Sequence, residues 1–120
     1  MASLADLTPP IALGSLDGRY RRAVAPLVDH LSEPALNRTR LHVEIEWLIH
    51  LTAHQVVPGA GTLSEAEAAS LRGLVEEFDQ AAIEELAAIE AETVHDVKAI
   101  EYFLKRRLTD RLENRGDLAE

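Results

Sequence analysis

LHVEIEWLIHLTAH, residues 41–54, admits two readings. Its first seven residues alternate, Leu41, Val43, Ile45 and Trp47 against His42, Glu44 and Glu46, which taken alone is the pattern of a half-buried strand. The wider window overrules it. Leu41, Ile45 and Leu48 form one line at helical spacing, and Val43, Trp47 and Leu51 form a neighbouring one. The run from Glu33 to His54 is also too long and unbroken for a strand. A helix is expected over 33–54, and with it an all-α fold.

The residues on either side extend this pattern. Ser32 offers an N-cap to the long helix, and Pro26 suits the first position of a short one running to about Leu31. Before that, Pro9, Pro10, Gly14 and Gly18 punctuate the first twenty residues, as in an extended arm ending in a turn. Downstream, Pro58, Gly59 and Gly61 mark a loop over 56–62. Ser64 followed by Glu67 is a capping box opening a helix with Leu71, Leu74, Val75 and Phe78 on one side. Asp79 is placed to cap a continuation carrying Ala82, Leu86 and Ile89, with a kink between the two. The last helix is expected from His95 or Asp96, with Val97, Ile100, Leu104 and Leu108 as its apolar stripe. Residues 114–120 are polar and read as the opening of a linker interrupted in mid-course, and hence the chain as truncated. The expected organisation is an arm over 1–20, a helical domain over 21–112, and over 113–120 the start of a linker to a missing central helical domain.

Composition narrows the function classes. The chain has 120 residues, enough for one domain with a modest core. Its 21 acidic against 12 basic residues give a net charge of −9, a field that repels nucleic-acid backbones. Cysteine is absent, so neither disulfides nor thiolate metal ligands are available, and the cytoplasm is the default compartment. No apolar run approaches the roughly 18 residues a membrane helix needs, and the start does not read as a signal peptide. Nucleic-acid and membrane partners are therefore not expected.

Two clusters could carry chemistry. Asp17-Gly-Arg-Tyr-Arg-Arg22 places three of the twelve bases together against the acidic background. Gly18 can let the backbone approach a ligand, and the planar fork of Arg19 suits phosphate or carboxylate. An arginine-rich turn paired with acidic helices is the plainer alternative. The second cluster is Thr93-Val-His-Asp96, at a helix start where imidazole and free amides could hold an anion. There the plainer alternative is a capping Asp beside an exposed His. His50 and His54 stand four apart, the spacing that lets two imidazoles share a metal, but no third ligand completes a motif, and a solvated helix face is the reading adopted. His30 and His42 have no evident partner. Nucleophile elbows, phosphate-binding glycine loops and kinase signatures do not occur.

SLDGRY at 15–20 and ETVHDVKAIEYFLK at 92–105 together resemble the adenylosuccinate lyases, and LHVEIEWLIHLTAH between them resembles the long helix of that family. The resemblance spans nearly the whole chain and is to the amino-terminal portion of the family. It implies the all-helical fumarase and aspartase fold, homotetramers with active sites built from several subunits, and β-elimination of fumarate without a cofactor or metal. The implied substrates are adenylosuccinate, giving AMP, and the succinylated carboxamide ribotide of purine biosynthesis. By the same resemblance Arg19 and Tyr20 contact the nucleotide part of the substrate, and His95 and Asp96 form the substrate-binding pair. Relatives often carry Asn or Arg before that histidine; here Val94 stands there, so a contact from it would be made by the backbone. The general-acid and general-base segments of the family do not occur in these 120 residues, so no catalytic residue is expected here and the chain alone is expected to be inactive. The alternative is a stand-alone, non-catalytic nucleotide-binding or interaction module with the same helical fold.

Overall fold

The computed structural model of the chain describes residues 12–118, and all its regular elements there are helical. The all-α expectation is met, and the strand reading of 41–47 is ruled out. The polypeptide divides into two compact units, one ending at Leu36 and the other beginning at Asn37.

In the first unit the Asp17 carboxylate accepts the amides of Leu13 and Gly14, at 3.3 and 2.8 Å, and Tyr20 N–H donates to the Ser15 carbonyl at 2.8 Å. Residues 13–20 are thereby wound into a turn. Helix α1 (Arg21–Val24) follows, then a 3₁₀ turn (Ala25–Leu27) with Pro26 near its start, then α2 (Val28–Leu31). The helical run thus begins five residues before the expected Pro26. A proline without an amide hydrogen can stand inside it because the backbone tightens to 3₁₀ around it. Of the arm expected over 1–20, residues 1–11 lie outside the described residues.

Helix α3 (Glu33–Ala53) starts as its capping residue predicts, the Ser32 hydroxyl accepting Ala35 N–H at 3.2 Å. It ends where Gln55 turns left-handed, at φ 53°, and Val56 N–H reaches back to the Leu51 carbonyl at 3.1 Å, the closing pattern of a Schellman motif. A turn over 57–60 with Gly59 at φ 83° leads onward. Both arms of the predicted capping box are made at the start of α4 (Glu65–Glu76). Rather than a kinked continuation there is a clean break, after which the Asp79 carboxylate accepts Ala82 N–H at 3.0 Å and starts α5 (Gln80–Thr93). Two residues later α6 (Asp96–Arg111) begins, so α5 and α6 form a helical hairpin.

The core of the second unit draws on every one of these helices: Leu41 and Ile45 from α3, Leu71 and Leu74 from α4, Ala82, Leu86 and Ile89 from α5, and Ala99, Ile100, Phe103, Leu104 and Leu108 from α6. Of the two lines foreseen on α3, only one turns inward; Val43 and Trp47 on the other are exposed. On α6 the expected Val97 is likewise exposed, and Ala99 and Phe103 take the buried positions beside Ile100. A stripe of i, i+3, i+4 neighbours centred one residue later accounts for the shift. The buried Thr52 hydroxyl is satisfied within α3, donating to the Leu48 and Ile49 carbonyls.

The stretch read as a linker opening is tied back against the second unit as far as Leu118. Arg115 bonds the Gly61 and Thr62 carbonyls, the Glu67 carboxylate and both oxygens of Asp117, while Asp117 accepts Gly61 N–H at 2.9 Å. Leu118 packs on the edge of the core. The Arg115 guanidinium, then the Gly61 amide, hold the Asp117 carboxyl down at about 2.

Two predictions follow from this packing. Phe103→Ala should destabilise the chain by about 3–5 kcal/mol in urea unfolding, since it empties the centre of the core, whereas Val43→Ala should stay within about 0.5 kcal/mol. A carboxyl whose folded pKa is depressed stabilises above its ordinary value, near 3.9, and loses that contribution as pH falls toward 2. Acid titration should therefore show stability falling between about pH 4 and pH 2, with Asp117→Asn flattening that part of the curve.

Candidate substrate-binding residues

The hinge between α5 and α6 places Val94, His95 and Asp96. Val94 closes α5 in the left-handed conformation, φ 50° and ψ 33°, with its N–H on the Glu90 carbonyl at 2.8 Å. A β-branched residue there is a conformational outlier, and strain of this kind costs about 1–3 kcal/mol. Its side chain is 87% exposed and makes no burial gain to offset that. Thr93 braces the turn, its hydroxyl donating to the His95 carbonyl at 3.1 Å.

His95 is the N-cap of α6. Its Nδ1 accepts Lys98 N–H at 3.2 Å, so Nδ1 carries the lone pair and a neutral ring has its hydrogen on Nε2, a donor. Capping therefore belongs to the histidine rather than to Asp96, contrary to the plainer reading of the sequence. Asp96, the first residue of α6, accepts Val97 N–H at 2.9 Å through one oxygen and meets Arg40 Nη1 at 2.8 Å through the other. The Val97 amide first, and then Arg40, lower its pKa and keep it ionised. His95 and Asp96 side chains remain 64% and 50% exposed, open to a ligand.

Arg40 was not singled out from sequence. It lies mid-helix in α3, more than fifty residues from Asp96, and only the fold brings them together. The Asn37 side-chain oxygen, 3.3 Å from the Arg40 guanidinium, braces it from one turn away.

Arg19 and Tyr20 belong to the other unit. The Arg19 guanidinium lies over the Tyr20 ring, 5.8 Å from its centroid, a cation–π placement that leaves the hydrogen-bonding edges of the guanidinium available. Tyr20 is half exposed. A hollow of about 520 Å³ in the same unit is lined by Leu16, Asp17, Arg21, Val24 and Val28 among others; Arg19 and Tyr20 are not in its wall.

His50 and His54 fall at the end of α3 with rings in contact, centroids 4.2 Å apart. Among the described residues no three His, Cys, Asp or Glu side chains gather as a metal cluster, and no helix is long and apolar enough to cross a membrane.

The strain at Val94 can be measured. Asn tolerates the left-handed region, so Val94→Asn should raise stability by about 1 kcal/mol, a few degrees in thermal unfolding. Val94→Ile, equally branched, should not.

No protein-family model matches the chain. Individual proteins do. It is 39% identical over 102 residues to the adenylosuccinate lyase of Haemophilus influenzae, a match covering 85% of this chain and 22% of that enzyme. The adenylosuccinate lyase of Escherichia coli K12 is 33% identical over 105 residues, 88% of this chain and 23% of the relative. That of Dictyostelium discoideum is 34% identical over 103 residues, with 85% and 22% covered. The chain thus spans less than a quarter of the length of these relatives. With the motifs at 15–20 and 92–105 and the helical fold, these matches make the chain a homologue of the adenylosuccinate lyases, akin to their amino-terminal portion.

Proposed function

We propose that this chain supplies the substrate-binding amino-terminal part of an adenylosuccinate lyase. The longer enzyme would cleave a C–N bond by β-elimination, releasing fumarate from adenylosuccinate to leave AMP, and from the succinylated carboxamide ribotide to leave the free carboxamide. It would act in purine biosynthesis in the cytoplasm, as a homotetramer. The organisation proposed with this reading is a helical domain over 21–112 preceded by an arm and continued past residue 113 toward a central helical domain.

The observation that carries the reading is the hinge at 93–96, which keeps a histidine and an aspartate exposed in a chain 39% identical over 102 residues to a lyase. Both substrates are polyanions, with a ribotide phosphate and two succinyl carboxylates, and their recognition calls for N–H donors. With Nδ1 occupied by the Lys98 amide, His95 offers Nε2–H. That role is to bind and orient the substrate; the proton transfers of elimination are assigned to no residue here. Asp96, neutralised by Arg40, would position the histidine and the start of α6 instead of repelling the ligand. Any contact from Val94 would be made by its backbone, whose N–H is already on the Glu90 carbonyl. Arg19 would face an anionic group and Tyr20 its nucleoside part, each by its own chemistry.

Isothermal titration of adenylosuccinate into the chain should show binding that weakens by about tenfold or more in Arg19→Ala and in His95→Ala, the loss expected when a charge-assisted or partnered donor is removed. Fumarate release should be undetectable by absorbance. Catalysis by the purified chain that disappears in His95→Ala would contradict the assignment of inactivity, and unchanged binding in both variants would overturn the proposed contacts.

A further inference from the structure

The outer face of α3 carries an aromatic ladder that the lyase reading does not use. Trp47, His50 and His54 recur at spacings of three and four, so they stand above one another on the helix surface. The Trp47 and His50 rings stack with centroids 5.8 Å apart and planes within 12°. The His50 and His54 rings follow at 4.2 Å and 33°. All three side chains are exposed.

The His54 Nδ1 lies 2.9 Å from the backbone carbonyl oxygen of His50. A carbonyl can only accept, so Nδ1 carries the hydrogen and the lone pair of the neutral ring is on Nε2. A ring nitrogen bonded to a backbone carbonyl is the support that metal-ligating histidines usually have, since it fixes the tautomer and makes the other nitrogen a better donor of its lone pair. The sequence alone shows the spacing of four but not this bond.

We propose that His50 and His54 form a two-imidazole site for a divalent transition-metal ion, copper foremost, with nickel and zinc next. Imidazole nitrogen selects these ions over magnesium or calcium, which want oxygen, and copper binds nitrogen sites most tightly. The placement favours a cation twice over. His50 stands in the last turn of α3, at the partially negative end of the helix dipole, and the chain as a whole carries −9.

Glu46, one turn before His50, is the nearest candidate for a third ligand along the stripe. Both of its oxygens are taken by Arg72, at 2.6 and 2.9 Å, and this pairing lowers its pKa and holds it on the guanidinium. Among the described residues no third ligand joins the two imidazoles, and water fills the remaining positions. Such a site is open on one side and can exchange its ion and accept an outside ligand.

Trp47 makes the site readable, because it is the only tryptophan in the chain and stacks on His50. Cu²⁺ and Ni²⁺ would be titrated into the 120-residue chain at about pH 8, since a metal binds only a neutral imidazole. Saturable quenching of Trp47 emission is expected, reversed by excess Zn²⁺, which competes without quenching. His50→Gln and His54→Gln should each weaken the apparent affinity by about tenfold or more. His42→Gln, two turns before His50 on α3, should leave it unchanged, and circular dichroism should show all three variants fully helical. Quenching that never saturates, or that persists at the same affinity in the His50→Gln/His54→Gln double variant, would overturn the site. Loss of quenching in His42→Gln would overturn it as well. None of these outcomes depends on adenylosuccinate binding.

Discussion

Two residues, Val94 and His95, connect α5 to α6, and the rest of the second unit depends on how tightly they turn. A shorter link could not reverse the chain, and a longer one would let the helices slide. With Val94 forced left-handed and His95 capping, α6 returns along α5 in one register, so that Ala82, Leu86 and Ile89 meet Ala99, Ile100 and Phe103. Arg107 and Glu85 pair across the same hairpin, and Arg111 pairs with Glu77 beyond it. The strain at one exposed valine is small beside the apolar surface that this register buries.

The same turn explains why the chemistry-bearing residues are where they are. Backbone amides at the start of a helix need partners, and His95 satisfies one of them with Nδ1 while keeping Nε2–H for something else. Asp96 is anchored by a cation from α3, which offsets its charge. The core helices α3 and α6 thus set the position of the exposed pair through Arg40.

Local signals were legible in the sequence to the degree that their partners are close by. Ser32, Ser64 with Glu67, and Asp79 mark helices starting at the next residue, and each makes the bond its position implies to the amide three residues on. Length and doubled apolar lines decide for a helix at 41–54, and α3 runs through to Ala53. Which of the two lines is buried was not legible, because Val43 and Trp47 are as apolar as Leu41 and Ile45. Arg40 with Asp96, and Arg115 with Gly61 and Glu67, escaped notice for a related reason: charges on a polar surface have many possible partners until the fold selects one. Val94 was noticed as a departure from relatives, but its left-handed backbone is a property of the turn rather than of valine.

Arg115 also bears on the order in which the unit assembles. The caps join residues three apart and the hairpin pair Arg107–Glu85 residues 22 apart, while Arg115 closes a ring of 48 to 54 residues onto Gly61, Thr62 and Glu67. Contacts of short contour form at little entropic cost, and a long ring closes only once its ends are already near. The hairpin is then expected to form ahead of the long-range pairs, Arg115 with Gly61, Thr62 and Glu67 and Arg40 with Asp96, which close once the helices have met.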